Sequence, residues 1–322
     1  MSLPNRAALE AAAAKVHSVF APTPQIAWPL LARRAGAEVW VKHENHTPIG
    51  AFKVRGGIVY LDRVRQRHPG IAGVIAATRG NHGQSVALAA RTAGLSATVV
   101  APHGNSVEKN AAMRALGAEL VEHGDDFQDA YEFARAEAGR RNLFFVESYL
   151  TDLVEGVGSY ALELFSAVPD LDTVYVPIGL GSGICGTIAA RDALGLATRV
   201  VGVVAAGAPS YALSFAAGKA VPTNSADTVA DGVACRVPHP EALGHILRGA
   251  ERIVSVDEAE IRAAMRHYFT DTHNVAEGAG AVPLAGLLQE KDRMAGKRVA
   301  VILSGGNVDR DVYAPILAEP TP

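Results

Sequence analysis

One lysine carries the most informative chemistry in this chain. Lys53 follows Phe52 and precedes an Arg-Gly-Gly step, within the thirteen residues that run from Asn45 to Gly57. A lysine with an aromatic neighbour at a predicted helix start is poorly hydrated. Burial and the positive end of a helix both disfavour its charged form, which is what an amine nucleophile needs. Most lysines, however, are solvated surface charges, so this segment needs support from elsewhere in the sequence.

The first of three glycine-rich turns reads Ala-Thr-Arg-Gly-Asn-His-Gly-Gln and spans residues 77–84. It lies between a predicted strand and an alanine-rich helix. Successive backbone N–H groups at a helix N-terminus bind anions, and the carboxylate of an amino acid is a suitable one. An ordinary strand–helix turn with an asparagine cap also fits, and it is the simpler interpretation when the turn is taken alone.

The second turn, residues 177–186, reads Pro-Ile-Gly-Leu-Gly-Ser-Gly-Ile-Cys-Gly and also joins a strand to a helix. Its backbone N–H groups and the helix dipole favour a phosphate. Gly181, Gly183 and Gly186 also match the fingerprint of dinucleotide sites. Such a site requires an acidic residue at the end of the next strand, and residues 199–208 contain neither Asp nor Glu. Phosphate binding is therefore the better interpretation.

The third turn is Ser304-Gly-Gly-Asn307, directly after the last predicted strand. By itself it is an ordinary strand-end turn. Together, the lysine segment and the three turns resemble the signatures of the fold type II pyridoxal phosphate enzymes, and within them the branch of serine/threonine dehydratases and serine racemases. The resemblance runs from about Lys42 to Asn307. It implies a two-lobed α/β fold of open parallel sheets with helices on both faces, and pyridoxal 5′-phosphate as the cofactor.

The resemblance also implies a role for each site residue. Lys53 would carry the cofactor as a Schiff base and remove the Cα proton, Phe52 would pack near the cofactor ring, and Asn81 would bond the pyridoxal 3′-oxygen. Leu180 and Ser182 replace two glycines of the usual phosphate loop, where main-chain N–H groups make the contacts. The implied cofactor-binding residues are Phe52, Lys53, Asn81, Gly179, Leu180, Gly181, Ser182, Gly183 and Ser304, and the implied substrate-binding residues are Thr78, Arg79, Gly80 and His82.

The implied reaction is β-elimination of a β-hydroxy amino acid, such as threonine or serine, to a 2-oxo acid and ammonia. Ser304 would place a neutral hydroxyl at the pyridine nitrogen, which weakens the ring as an electron sink and suits expulsion of a β-substituent. Arg79 stands where racemases of this branch carry a serine, which disfavours racemisation. Its guanidinium fits two interpretations equally: a grip on a second carboxylate or phosphate of the substrate, or a structural ion pair.

Other functions of the same fold stay open. They are dehydration of 3-hydroxyaspartate or phenylserine, amino-acid racemisation and β-replacement. Ala51 replaces a common serine beside the lysine, and residues 146–150 depart from the usual family sequence, so the substrate is not fixed. A catalytically idle scaffold that holds the cofactor is less consistent with four motifs occurring together.

No metal site is expected. Residues 205–210 lack the glutamate and aspartate that form the usual cation site of the family. His43 and His46 are three residues apart, whereas zinc proteases place two histidines four residues apart on a helix. These two histidines are therefore interpreted as polar loop groups.

The elements that must position these residues follow a regular alternation. Nine short β-branched runs, from Glu38–Lys42 to Arg298–Leu303, alternate with helical stretches such as Val157–Ala167, which predicts βαβ units and open parallel sheets. At 322 residues the chain suits two lobes. The predicted division is a large cofactor-binding domain of residues 1–67 and 149–322, and a small inserted domain of residues 68–148. Asp257 and Glu260 predict a capping box.

The amino-acid composition limits where the protein is expected to reside and what it is expected to bind. The net charge is −3 and both signs are interspersed, so nucleic acid is not an expected partner. No apolar run approaches the roughly 20 residues of a membrane span, and Arg6, Glu10 and Lys15 interrupt what would otherwise be a signal segment. Cys185 and Cys235 lie far apart, which favours a reducing cytoplasm. The expected partner is a small amino-acid substrate, with a homodimer as the default assembly. A regulatory domain is not expected after the third turn.

Overall fold

The computed structural model describes residues 2–320, so the first and the last two positions of the predicted large domain lie outside the described residues. Two separate sheets organise the chain. Their strands are β1 (Gln25–Ala27), β2 (Glu38–His43), β3 (Gly73–Ala77), β4 (Ser96–Ala101), β5 (Glu119–Glu122), β6 (Leu143–Phe145), β7 (Thr173–Pro177), β8 (Arg199–Ala205), β9 (Arg252–Val256) and β10 (Arg298–Leu303).

The helices surround these sheets, and several begin directly after a strand. They are α1 (Arg6–His17), α2 (Pro29–Ala35), α3 (Lys53–Arg67), α4 (Asn81–Thr92), α5 (Val107–Ala115), α6 (Phe127–Arg140), α7 (Thr151–Ala167), α8 (Ser182–Ala193), α9 (Ser210–Ala217), α10 (Pro240–Gly249), α11 (Glu258–Thr272), α12 (Gly278–Gln289), α13 (Lys291–Met294) and α14 (Arg310–Ala318). Short 3-10 helices cover Glu44–His46 and Asp231–Val233. The predicted capping box of Asp257 and Glu260 is confirmed at the start of α11.

The larger sheet has six strands in the order β1-β2-β10-β7-β8-β9, and the smaller has four in the order β5-β4-β3-β6. Successive side chains of β10 point to opposite faces of the larger sheet. Val299 and Val301 join the core formed with α11 and α12, whereas Ala300 and Ile302 join the core formed with α7 and α8. Both faces of this sheet are therefore covered, and the predicted α/β fold with helices on both faces is confirmed.

The larger sheet contains one antiparallel strand that the sequence prediction missed. β1 pairs antiparallel with β2, whereas every other neighbouring pair in both sheets is parallel. The predicted parallel sheets are confirmed, with this one antiparallel strand added at an edge. Three residues, Gln-Ile-Ala, are too short to show an alternating pattern, so the sequence gives no signal for this strand.

All four strands of the smaller sheet lie within residues 68–148, between β2 and β7 of the larger sheet. Its two faces pack separately: Val74 and Val99 join α3 and α4, while Ile75 and Val100 join α6. The exact domain bounds stay a prediction. Within residues 2–320, no helix is long and apolar enough to cross a membrane.

Candidate active site

One pocket brings together residues that follow the ends of four strands. Lys53 comes after β2, Asn81 after β3, Gly179 after β7 and Ser304 after β10. In open α/β sheets, ligands bind outside the carboxyl ends of the strands. The pocket is lined by Phe52, Lys53, Asn81, His82, Ser148, Leu153, Val157, Pro177, Gly179, Leu180, Gly181, Ser182, Gly183, Gly232, Val233, Glu277, Ala279 and Ser304.

Lys53 is the first residue of α3, and its side chain is partly buried. Its amine makes no hydrogen bond or ion pair with the part of the chain that the structure describes. Burial lowers the pKa of this amine from its ordinary value; the carboxylates of Glu277 and Asp231 oppose the shift, and Lys109 adds to it. An amine with a lowered pKa and no partner is suited to act as a nucleophile or base.

A buried charge network fixes the start of α3. Arg55 lies two residues after Lys53 and is fully buried. Its guanidinium donates to Glu44 at 2.6 and 3.0 Å and to Glu163 of α7 at 2.6 and 2.9 Å. Lys42 of β2 also donates to Glu163, at 2.5 Å. Because Arg–carboxylate pairs are directional, this network holds α3 against β2 and α7 and so positions Lys53.

Glu44 and its neighbours correct the interpretation of residues 43–46 as polar loop groups. His43 is the last residue of β2, and Glu44–His46 form a short 3-10 helix. His43 and Glu44 are fully buried, and the indole Nε1 of Trp28 donates to His43 Nε2 at 3.0 Å. Burial is the main reason that the pKa of His43 falls to about 4. His43 and Glu44 therefore belong to the protein interior, whereas His46 is exposed.

The second glycine-rich turn forms the N-terminus of α8. Gly181 precedes the helix with a φ of +106°, a conformation that favours glycine. The hydroxyls of Tyr211 and Tyr160 donate to the carbonyls of Leu180 and Gly183, at 2.8 and 2.9 Å. The backbone N–H groups of residues 179–183 find no acceptor among residues 2–320. Free N–H groups at the start of a twelve-residue helix form an anion site.

Asn81 is held by two hydrogen bonds. Its Nδ2 donates to Glu277 Oε1 at 2.7 Å, and its Oδ1 accepts from Asn307 Nδ2 at 2.8 Å. Burial raises the pKa of the Glu277 carboxyl, an effect that the Lys109 charge and the Asn81 hydrogen bond oppose. An amide nitrogen carries two N–H donors, so Asn81 keeps one donor for a ligand.

His82 is buried, and its Nε2 has no hydrogen-bond partner in the described chain. Burial and the nearby Lys53 charge lower its pKa to about 3, so the ring is neutral near pH 7. Buried polar atoms in proteins are normally paired. An unpaired ring nitrogen that lines a pocket therefore indicates a polar ligand group.

The other three predicted substrate residues do not line the pocket. The hydroxyl of buried Thr78 accepts from the N–H of Gly80 at 3.2 Å, inside the turn. Arg79 is exposed and makes no hydrogen bond or ion pair with any described residue. The structural ion pair considered for Arg79 is thus not formed within residues 2–320.

Ser304 and the lysine segment are joined by backbone contacts. The Phe52 N–H donates to the Ser304 carbonyl at 2.9 Å, and Ala51 forms a bridge with Gly305. Ser304 is buried and lines the pocket. These contacts explain how two motifs about 250 residues apart in the sequence meet at one site.

Several residues that line the pocket were not predicted as site residues. Ser148 lies in the stretch 146–150, which the sequence marked only as unusual. Glu277 and Gly232 lie outside the lysine segment and the three glycine-rich turns. Leu153 and Val157 are apolar positions of α7 with no chemical signal.

The pocket fits pyridoxal phosphate. The α8 N-terminus offers free N–H groups for a phosphate, Lys53 offers an unpaired amine for the aldehyde, and Ser304 offers a hydroxyl. Comparison with known proteins agrees, because residues 16–305 match the family described as pyridoxal-phosphate dependent enzyme. The chain belongs to this family. Its cofactor is therefore pyridoxal phosphate, and the predicted family is confirmed.

Relatives within the family narrow the chemistry. The chain is 34% identical to an L-threonine ammonia-lyase of Thermotoga maritima over 89% of this chain and 72% of the relative. It is 33% identical to an L-threo-3-hydroxyaspartate ammonia-lyase of a Pseudomonas species over 92% of both chains. Among solved structures, maize serine racemase superposes with a TM-score of 0.92 at 25% identity, over 98% of this chain and 97% of the other. The processed form of threonine deaminase isoform 2 from Solanum lycopersicum superposes with a TM-score of 0.89 at 26% identity, over 99% of this chain and 95% of the other.

Proposed function

We propose that this enzyme is an ammonia-lyase that converts a β-hydroxy amino acid, threonine or serine, into a 2-oxo acid and ammonia. The observation that carries the proposal is the pairing of an unpartnered Lys53 amine with the free N–H groups of the α8 N-terminus in one pocket. Relatives named L-threonine ammonia-lyase, at 34% and 37% identity, support the substrate class.

The chain would hold the cofactor at five points. The N–H groups of residues 179–183 would bind its phosphate, Lys53 its aldehyde carbon, and the Ser304 hydroxyl its ring nitrogen. Asn81 would use its remaining N–H on the 3′-oxygen, and Phe52 would pack near the ring. When bound, pyridoxal phosphate supplies an electron sink for the charge left at Cα.

The residues of the chain would then handle the substrate and its protons. The neutral His82 would donate a hydrogen bond to the substrate carboxylate. Once its amine is free, Lys53 Nζ would accept the Cα proton and return it to the departing β-hydroxyl, which then leaves as water. Uptake of one water releases ammonia, so the net change is amino acid to 2-oxo acid plus ammonia.

Product analysis tests this proposal. The cofactor-loaded enzyme would be assayed with threonine, serine, 3-hydroxyaspartate and phenylserine, measuring 2-oxo acid, ammonia and remaining L- and D-amino acid. We expect 2-oxo acid and ammonia in equal amounts, with threonine or serine as the fastest substrate. Accumulation of D-serine without 2-oxo acid would instead identify a racemase, and product formation only with an added second nucleophile would identify β-replacement.

Arg79 supports a second candidate substrate, 3-hydroxyaspartate. Its side chain is exposed, has no partner among residues 2–320, and directly precedes the Gly80–Asn81 turn. A relative named L-threo-3-hydroxyaspartate ammonia-lyase covers 92% of this chain. A guanidinium is well suited to bind a second carboxylate.

Replacing Arg79 separates the two substrates. If Arg79 binds a second carboxylate, Arg79→Ala should lower kcat/KM for 3-hydroxyaspartate by about 10- to 100-fold. This is the loss expected for removal of a charged hydrogen bond of about 1.5–3 kcal/mol. The kcat/KM for threonine should stay within about twofold of the wild-type value. Arg79→Lys keeps the charge, so its kcat/KM for 3-hydroxyaspartate should lie between those of the wild type and Arg79→Ala. An equal loss for both substrates, or no preference for the diacid in the wild type, would remove this candidate.

We also propose that the enzyme is a cytoplasmic homodimer that binds no nucleic acid. The charge pattern supports the absence of nucleic-acid binding, and the two separate buried cysteines support the cytoplasmic location. The homodimer is the default among closed symmetric assemblies. Sedimentation velocity over a range of protein concentrations tests the assembly, and a purely monomeric species would contradict it.

A further inference from the structure

Lys109 lies beside the pocket, although no motif drew attention to it. It belongs to α5, and its side chain is only 13% exposed. Its carbon chain packs on Gly80, because a Cβ added to Gly80 would lie 2.6 Å from Lys109 Cδ. The close contact fixes the lysine stem against the turn that begins α4, one residue before Asn81.

The ammonium of Lys109 reaches the other side of the pocket. Its Nζ lies 3.5 Å from Oδ2 of Asp231, in the 3-10 helix Asp231–Val233. That helix packs on the phosphate loop, since a Cβ added to Gly179 would lie 2.4 Å from the Gly232 carbonyl. The ion pair thus connects the turn that carries Asn81, in the smaller sheet, to the loop before α8, in the larger sheet.

Charged and titratable groups from four elements interact electrostatically with the Lys53 amine. They are Glu277 at the start of α12, Asp231, Lys109 of α5, and His82 of α4. Burial has the largest effect and lowers the pKa of Lys53. The negative charge of Asp231 raises this pKa, whereas the positive charge of Lys109 lowers it. The two members of one ion pair therefore act on Lys53 in opposite directions.

We propose that Lys109 and Asp231 are positioning residues of the elimination, whose ion pair closes the pocket between the two sheets and balances the charge around the Lys53 amine. This inference rests on the proposed role of Lys53. Lys109 and Asp231 act through the turn and through Lys53 and need no contact with the substrate.

Two charge-removing variants test the proposal, with two controls. Lys109→Met removes the positive charge, and Asp231→Asn removes the negative one. Lys109→Arg keeps the charge. The second control, Glu108→Gln, changes the residue just before Lys109 and weakens the hydrogen bond that Glu108 accepts from the Arg310 N–H at 2.9 Å. Glu108 is not among the charges that act on Lys53.

Two pH profiles provide the readout. The first is kcat for threonine in the cofactor-loaded enzyme, which reports the substrate complex, where the Lys53 amine is free. The second is the reaction of Lys53 with an amine-acetylating reagent in the full chain without cofactor, followed by peptide mass spectrometry. We expect both midpoints to move to higher pH in Lys109→Met and to lower pH in Asp231→Asn, by roughly half a unit or more. Both controls should stay at the wild-type midpoint.

Shifts in the same direction, or no shift in either charge-removing variant, would overturn the proposal, because a merely structural ion pair changes stability without opposite pH shifts. Thermal unfolding of each variant shows that it is folded. Asp231 has a side chain that is 52% exposed, so Asp231→Asn tests the proposal even if Lys109→Met does not fold. The acetylation profile does not require turnover. If Lys53 were not the base, the acetylation midpoints would still shift while the kinetic profile would not.

Discussion

At the scale of single residues, the site disfavours the charged forms of two nitrogen bases. Lys53 and His82 both line the pocket, and burial is the main cause of the lowered pKa of each. A neutral amine can accept a proton, and a neutral imidazole can donate one hydrogen bond and accept another. Their proximity strengthens the effect, because the charge of Lys53 further lowers the pKa of His82.

The titration of His82 tests this environment. Its pKa of about 3 lies below the ordinary value of 6.5, so we expect its ring to stay neutral from pH 8 down to about pH 4. The sign follows from linkage: an unfolded chain takes up this proton near pH 6.5 and the folded one does not, so His82 lowers stability as the pH falls through that range. Histidine NMR signals of the cofactor-free chain, with His82→Asn to assign the resonance, provide the measurement. A midpoint near 6.5 would show that His82 is not buried as described.

The chemical type of a residue decided which site residues could be predicted. A lysine between an aromatic and a glycine step, and glycines in strand–helix turns, have a recognisable pattern, so Lys53, Asn81 and the loop at residues 179–183 were placed in the pocket. Ser148 and Lys109 have no such pattern. A serine after a short strand and a lysine in an amphipathic helix are ordinary surface residues until the tertiary contacts are known.

At the scale of elements, α8 and the loop before it form the anion site. Gly181 is the critical position of this loop. Its φ of +106° strains any other residue, and an added Cβ would lie 2.7 Å from the Cβ of Ala242. A larger residue must therefore shift the loop, and the N–H groups of residues 179–183 would no longer converge.

Gly181→Ala should accordingly weaken cofactor binding by about tenfold or more, which corresponds to about 1.4 kcal/mol. Spectroscopic titration with pyridoxal phosphate measures this affinity. Gly195→Ala is a matched control, because Gly195 follows the same helix with a φ of +65° but has no neighbour within 4 Å of an added Cβ. The control should lose some thermal stability and keep its cofactor affinity. Equal affinity loss in both variants would mean that backbone strain alone, rather than the shape of the loop, sets binding.

Helix boundaries were predicted less well where glycines allow two helices to pack closely. The sequence predicts a helix over Val157–Ala167, whereas α7 begins six residues earlier, at Thr151. Gly156 and Gly158 interrupt the helical pattern, and glycine normally disfavours a helix interior. In the structure, an added Cβ at Gly156 would lie 2.3 Å from the Arg55 carbonyl. The glycine permits the close contact between α3 and α7, and this reason is visible only after the helices are placed.

At the scale of the whole molecule, the pocket exists because two sheets present their strand ends to one another. The alternation of strands and helices predicts each sheet but does not predict which turns of one sheet meet those of the other. The contact of Asn307 with Asn81 joins residues 226 positions apart, and the Lys109–Asp231 ion pair likewise crosses between the two sheets. Such contacts depend on the relative placement of the sheets, which a single sequence does not record.

The central claim is that Lys53 binds the cofactor and acts as the base of the elimination. The most direct measurement is the visible spectrum of the cofactor-loaded enzyme, followed by borohydride reduction and peptide mapping, for the wild type and for Lys53→Ala. We expect a visible absorption band in the wild type, cofactor fixed to the peptide that contains Lys53, and loss of both in Lys53→Ala. The variant should also form 2-oxo acid from threonine at least about 10³-fold more slowly, as expected for loss of a positioned base. Cofactor fixed to another lysine, or full turnover in Lys53→Ala, would contradict the claim.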